Sequence, residues 1–326
     1  RLSLLVVDEA HYVKNPSAGR TRALKAVSDH ADRIALMTGT PLENDLEEFK
    51  RIVAMASSEI ASQVTERTAG FRGLAAAVAP VYLRRNQKDV LRELPDRIEK
   101  QEWLDLDEAD AEAYRASVLE RNYMAMRRSV TIGDGSGRSA KLDHLAELLE
   151  EYRALDRKVL LFSFFLDVLA LVAKRFGAVG TVQGALSPDQ RMALIDDFRA
   201  KDGYALLASQ IQAGGVGLNL QAASVVVLME PQWKPTTEEQ AIARTHRMGQ
   251  TEHVIVHRML ARDTVDEHMV DLLASKRETF DRYVRESALK QASREATEAG
   301  FAERVIEAEL ARLKATGDEV APLRGT

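Results

Sequence analysis

Cysteine is absent from all 326 residues, which removes disulfides, thiolate metal sites and cysteine nucleophiles together. The seven histidines are scattered, with no HExxH and no close pair, so a histidine-built metal centre is not expected. No run of ~18 uncharged apolar residues occurs, and no membrane-spanning helix is expected. The start carries neither the charged region nor the cleavage site of a signal peptide, and it lacks an initiator Met. We therefore read the chain as a fragment whose upstream part is missing. Neither acids nor bases are in strong excess. A net charge of −5 argues globally against nucleic-acid binding, although a local basic groove can sit on an acidic protein.

What remains is ordinary globular composition, 45 % hydrophobic and 29 % charged, in a length that favours two domains. Arg outnumbers Lys 32 to 13, which suggests a GC-rich bacterial gene. The opening RLSLLVVDEAH reads as a strand buried on both faces that ends in two acids. A turn at Asn15-Pro16, a helix through Ala23, Leu24 and Val27, and a strand at Ile34–Met37 complete a parallel βαβ unit. An amphipathic helix opens a helical stretch of about 45–79, and residues 107–130 are predicted helical with Asp107 as N-cap. TIGDGSGRSA (131–140) holds three glycines and is taken as the domain boundary. Strands and helices alternate again beyond it: KVLLFSF, YALLASQ, SVVVLME and HVIVHRML as strands, with helices at 141–154, 166–176, 188–200 and 236–248. The pattern predicts a second doubly wound α/β domain followed by a charged helical tail.

Open α/β sheets bind ligands at the carboxyl ends of their strands. Asp8 can hold a hydrated Mg²⁺ there, and Glu9 can orient or deprotonate a water; the plain alternative is a strand ending in polar residues. Gly214, Gly215 and Gly217 follow a strand and would let backbone approach a phosphate or sugar, or they form an ordinary turn. Their spacing does not fit GxGxxG, and the acids expected of a dinucleotide site would be Glu238 or Glu239, at a helix start. Gln240, Arg244 and Arg247 fall at steps of four and three, predicting one helical face. Forked guanidinium groups suit a transferring phosphoryl group, or simply a solvated basic face. Trp233 could stack on a base, while core packing is the commoner use of an aromatic.

The segments follow one order: DEAH at 8–11, TGTPLEN at 38–44, RRNQKDVLRELP at 84–95, KVLLFSFFLDVL at 158–169, QGALSPDQR at 183–191, SQIQAGGVGLNLQAAS at 209–224, EPQWKP at 230–235 and QAIARTHRMGQ at 240–250. Together they resemble the Swi/Snf family of superfamily-two helicase-like ATPases, which are DNA translocases with two RecA-like lobes. The resemblance runs over about residues 1–272 and is most specific from 205 to 270. It implies an α/β fold of two doubly wound parallel-sheet lobes with short helical insertions, the first lobe incomplete. Residues 1–106 would be the end of the first lobe and 107–140 a helical protrusion with its Gly-rich link. Residues 141–272 would form the second lobe and 273–326 a charged tail.

The resemblance assigns Asp8 and Glu9 to Mg²⁺ and water activation and His11 to coupling. Thr38, Gly39 and Thr40 would link nucleotide state to the DNA track. Gly215 and Gly217 would sense nucleotide, and Gln240, Arg244 and Arg247 would reach ATP from the second lobe. Ser163, Gly184, Ser209, Trp233 and Lys234 would lie near DNA, Lys234 standing where the family usually has Asn. The family's phosphate-binding GxxxxGK[ST] loop does not occur in the 326 residues, so the chain alone is expected to be inactive. The implied parent is an ATP- and Mg²⁺-dependent, double-stranded-DNA translocase of the bacterial cytoplasm and nucleoid, with a DNA-bound protein as a further partner and no membrane. Its rivals are a pseudo-ATPase that only binds nucleic acid or protein, and a strand-separating helicase.

Overall fold

The structure is a computed structural model that describes residues 2–13, 15–38, 46–64, 76–83, 94–213, 220–285 and 298–315. The chain forms two compact units, Arg1–Val90 with Ser275–Ala296, and Leu91–Ala274 with Thr297–Thr326.

In the first unit, β1 (Leu5–Val7) pairs in parallel with β2 (Ile34–Leu36), Leu5 opposite Ile34. A 3-10 turn (Ala10–Val13) and helix α1 (Gly19–Ser28) make the crossover that parallel pairing requires. The predicted turn is present: the Asn15 side chain accepts from the Ser17 N–H at 3.0 Å. Helices α2 (Leu46–Ala56) and α3 (Ser58–Gln63), the latter capped by Ser57, bury Phe49, Val53, Ala61 and Val64 in their own small core. One expectation fails here. Leu4 and Val6 are 54 % and 51 % exposed: as alternate residues they share one side of the run, and among the described residues nothing covers that side.

The second unit is built on a six-stranded, all-parallel sheet in the order β3-β8-β7-β4-β6-β5. Its strands are β3 (Arg97–Leu104), β4 (Val159–Ser163), β5 (Thr181–Val182), β6 (Leu206–Gln210), β7 (Val225–Leu228) and β8 (Val254–Ala261). The continuous apolar runs follow from burial on both faces. Val159 and Leu161 of β4, with Val225 and Val227 of β7, pack under α6 (Ala140–Ala154) and α7 (Leu166–Phe176). The intervening Leu160, Phe162, Val226 and Leu228 face Ile195 and Phe198 of α8 (Pro188–Ala200) and Ala241 and Ile242 of α9 (Pro235–Ile242). Helix α8 starts at a capping box of Ser187 and Gln190 with Pro188 in its first turn, a start written in the sequence. Helix α7 stops at left-handed Gly177.

Two boundaries differ from the sequence reading. Residues 91–106, expected in the first lobe, belong to the second unit, since β3 pairs along its whole length with β8. The predicted 107–130 helix is two, α4 (Glu108–Leu119) and α5 (Tyr123–Ile132), broken where Arg121 takes a positive φ and Asn122 caps the next helix. The Gly-rich stretch is accordingly a turn inside the second unit. Gly133 there has φ +57°, and a Cβ on it would stand 2.3 Å from the Asp110 carboxylate. That carboxylate accepts from the Ala140 N–H at 2.7 Å and so holds the start of α6. Helix α10 (Val265–Arg285) follows β8, and α11 (Glu298–Ala315) packs on α4 and α5.

Gly133→Ala should lower unfolding free energy by about 1–3 kcal/mol, measured by urea denaturation, because it meets both a left-handed backbone and a filled space. Burial raises the Asp110 carboxyl to about 6 against the pull of the Ala140 N–H, with Asp107, Asp143 and Asp134 adding to the rise. The folded state therefore holds that proton more tightly than the unfolded chain. Relative to Asp110→Asn, the natural protein should gain thermal stability as pH falls from above 6 toward 3.8; a difference independent of pH would contradict this assignment.

Candidate functional site

In the first unit, the acid pair closes the carboxyl end of β1. Asp8 accepts from the Glu9 N–H at 2.8 Å, and Glu9 takes φ +50°, a conformation that non-glycine residues seldom adopt outside constrained sites. This turn brings the Ala10 N–H to the Met37 carbonyl at 2.9 Å. The ends of β1 and β2 are thereby tied together, with Thr38 next in line. Asp8 is exposed and Glu9 half-buried. Among the described residues no group of three or more His, Asp or Glu could hold a metal by itself. A single exposed carboxylate fits an ion such as Mg²⁺, which takes most of its ligands from water and phosphate. His11 lies in the 3-10 turn. Gly39 and Thr40 lie outside the described residues, as do Gly215 and Gly217 of the second unit.

In the second unit, the carboxyl ends of β4, β6 and β7 gather several of the expected residues. Ser163 ends β4, beside Gln210 of β6, and Ser209 lies next to it. The Gly184 N–H reaches the Gln210 side chain at 3.2 Å. Strand order reverses around β4, since β5 and β6 are laid to one side and β7, β8 and β3 to the other, which is where such sheets form a crevice.

Sequence reasoning missed the residue at the centre of this edge. Glu230, 1 % exposed, ends the β7 segment. It accepts from the Ser163 hydroxyl at 3.0 Å, from the Phe164 N–H, and from the Gln232 amide at 3.1 Å. Burial pushes its carboxyl above the usual range, while Phe164 N–H, the Arg127 guanidinium and the Ser163 hydroxyl pull the other way. Arg127, itself buried among Tyr123, Phe164 and Phe165, donates to the Pro231 carbonyl at 2.9 Å. An acid terminating a wholly apolar strand was the available signal. Trp233, next in this loop, is half-buried and meets Phe301 of α11 with ring centroids 5.1 Å apart. Lys234 forms the N-cap of α9.

The arginines are arranged differently from the expectation. Helix α9 ends at Ile242, so Arg244 and Arg247 lie on the turn that follows it and not on one face of a helix reaching 248. The helix stops because buried Thr245 turns its hydroxyl back to the Ile242 carbonyl at 2.8 Å. Gln250 gathers the Gln221, Ala223 and Thr245 carbonyls, and Gly249 takes φ +100°. His246 is structural, its Nε2 donating to the Pro95 carbonyl at 2.7 Å. Half-buried Arg244 leaves its backbone carbonyl to the Leu220 N–H, and Arg247 is exposed.

Helix α9 is itself held by its two acids. Glu238 accepts from Arg258 Nε and from the Gln232 N–H, both at 3.0 Å. Glu239 takes both terminal nitrogens of Arg97, at 2.7 and 2.9 Å. These carboxylates are therefore engaged in positioning the arginine turn, which disposes of a ribose-binding role for them.

Two family matches run in tandem along the chain: the SNF2-related domain over residues 1–155 and the helicase conserved C-terminal domain over 140–249. The chain belongs to the SNF2-related family of helicase-like ATPases. An ATP-dependent helicase of Mycoplasma pneumoniae is 29 % identical to it over 315 residues, 85 % of this chain and 30 % of that one. Human chromodomain-helicase-DNA-binding protein 1 is 28 % identical over 330 residues, 85 % of this chain and 19 % of that one. The SNF2-related chain thus spans a third or less of these relatives. The crystal structure of the C-terminal part of the Fun30 ATPase domain shares its fold, with a TM-score of 0.53 at 18 % identity over 68 % of this chain and all of that one. Both units are parallel-sheet α/β structures, the fold of SNF2-type ATPase lobes, and no helix among the described residues is long and apolar enough to cross a membrane.

Removing the Glu230 carboxylate would leave the Ser163 hydroxyl, the Phe164 N–H and the Gln232 amide short of an acceptor. Glu230→Ala should cost about 3 kcal/mol of unfolding free energy in urea. A cost under about 1 kcal/mol would show that the carboxylate does not organise this edge.

Proposed function

We propose that the chain is the greater part of the motor of an ATP-dependent double-stranded-DNA translocase, a protein of the bacterial cytoplasm and nucleoid. The single observation that carries this reading is the acid pair Asp8-Glu9 at the carboxyl end of β1, in a chain whose second unit carries the arginine turn and matches the helicase C-terminal domain. Asp8 would hold hydrated Mg²⁺, and Glu9 would orient the attacking water. Arg244 and Arg247 would stabilise charge on the transferring phosphoryl group, with Gln240 presented from α9 ahead of them. Bound Mg²⁺ would neutralise the phosphate oxygens. Thr38, with Gly39 and Thr40, would pass the nucleotide state to the DNA track. His11 would couple the acid pair to the same track, and Gly215 and Gly217 would sense the nucleotide. Gly184, Trp233 and Lys234 would meet the duplex backbone, with Ser163 and Ser209 buried behind them at the strand ends, a role supported by Ser163, Gly184 and Ser209 sharing one sheet edge and by a human relative named for DNA binding.

Since GxxxxGK[ST] does not occur in these residues, the 326-residue chain should show no DNA-stimulated ATP turnover in a phosphate-release assay. In a protein extended upstream to include that loop, Glu9→Gln and Arg247→Ala should each lower kcat on the order of 10³-fold. The extended protein should displace a triplex-forming strand from duplex DNA without separating the duplex. Turnover by the 326-residue chain would refute the division of labour between the acid pair and a missing loop. Duplex separation would favour a helicase.

A further inference from the structure

Helix α11 takes no part in the reaction above, yet its docking is built with care. Phe301, Val305, Glu309 and Leu313 recur every fourth residue and are all at most 8 % exposed, a single stripe along the helix. An acid in such a stripe needs partners, and Glu309 has three. The Tyr114 hydroxyl donates to it at 3.1 Å, His268 Nε2 at 2.9 Å and Arg312 at 2.7 Å. The Tyr114 oxygen in turn accepts from the Val265 N–H at 2.8 Å, so the cluster fastens α11 to α4 and α10 at once. At the other end of the stripe, Phe301 stands edge-on to Tyr123, with centroids 6.3 Å apart, and to Trp233 at 5.1 Å and 65°.

The loop carrying Trp233 is already tied down through its backbone. Arg127 holds the Pro231 carbonyl, and Glu238 holds the Gln232 N–H. Those bonds act on the backbone of the loop. Phe301 supplies a ring contact for the indole, and Lys234 and the start of α9 follow within two residues. We propose that Phe301 is a positioning residue: from the C-terminal helix it sets the Trp233 indole, and through it the Trp233–Lys234 loop that meets duplex DNA. The proposal rests on the reading of that loop as a DNA contact.

The test uses the full chain. Trp103 is the other tryptophan, bonded to Gln101 of its own strand, so Trp103→Phe leaves the emission of Trp233 alone. In that background Phe301→Ala should shift the emission to the red and weaken binding of a fluorescently labelled duplex about three- to tenfold. Phe301→Leu, which keeps the stripe apolar and guards against loss of the fold, should shift both readouts in the same direction by less. In a Trp233→Ala chain, Phe301→Ala should change duplex affinity by less than about twofold, since the ring it acts through is gone. Equal losses with and without Trp233 would overturn the proposal by showing general damage. A red shift with unchanged affinity would overturn it while leaving the DNA contact standing. A wild-type chain that binds no duplex at low salt would instead overturn the reading of the loop as a DNA contact, and the proposal with it.

Discussion

A parallel strand buried on both faces leaves little room for polar side chains before it ends. At the carboxyl edge of the second unit's sheet, the carboxylate of Glu230 keeps the strand ends in order. It joins the end of β4 to the end of β7 through Ser163 and Phe164, then turns the chain through Gln232 toward α9. A buried acid is costly to keep ionised, and burial raises the Glu230 carboxyl accordingly. Donors from two strand ends and a nearby guanidinium offset that cost. The ordering is achieved by geometry close to the sheet, so the loop beyond it can vary in composition without losing its anchor.

The same economy holds around the arginines. Two neighbouring acids at the head of α9, each matched to an arginine from a different strand, fix the start of a short helix whose other end is packed into the core through Ala241 and Ile242. Arg258 comes from β8 and Arg97 from β3, so the strand that first enters the second unit also helps to set the turn bearing Arg244 and Arg247. The route from the start of this unit to its most chemically suggestive residues is one side chain long.

Much of the fold was legible from pattern alone. The runs at 159–163, 206–210, 225–228 and 254–261 are strands as expected, because burial on both faces forces apolar residues into unbroken series. Other features are set by partners far away in sequence. β3 carries four consecutive polar residues, Glu99 to Glu102, and says nothing of which sheet it joins; its partner lies about 150 residues later. The turn after α9 depends on Gln250 collecting carbonyls from the distant 221–223 stretch, which no helical periodicity records. Of the expected site residues, Asp8 and Thr38 follow the ends of the paired strands β1 and β2, and Ser163, Gly184 and Ser209 lie along one edge. The acid that organises that edge was hidden because an isolated Glu after a strand resembles any polar terminus. The docking of α11 was masked in the same way by its charged neighbours, although Glu309 within an apolar stripe marks it in hindsight.

The outermost strand of the large sheet has one further implication. Among the described residues β3 lies at the border of the sheet, with β8 as its one neighbour, and a border strand is a template for another chain's backbone. It carries Arg97, Glu99, Lys100 and Glu102 within eight residues, and an incoming strand would have to desolvate those charges with no matching pattern to meet them. A border so charged is a poor template for a further strand, so the sheet ends where its own residues end it.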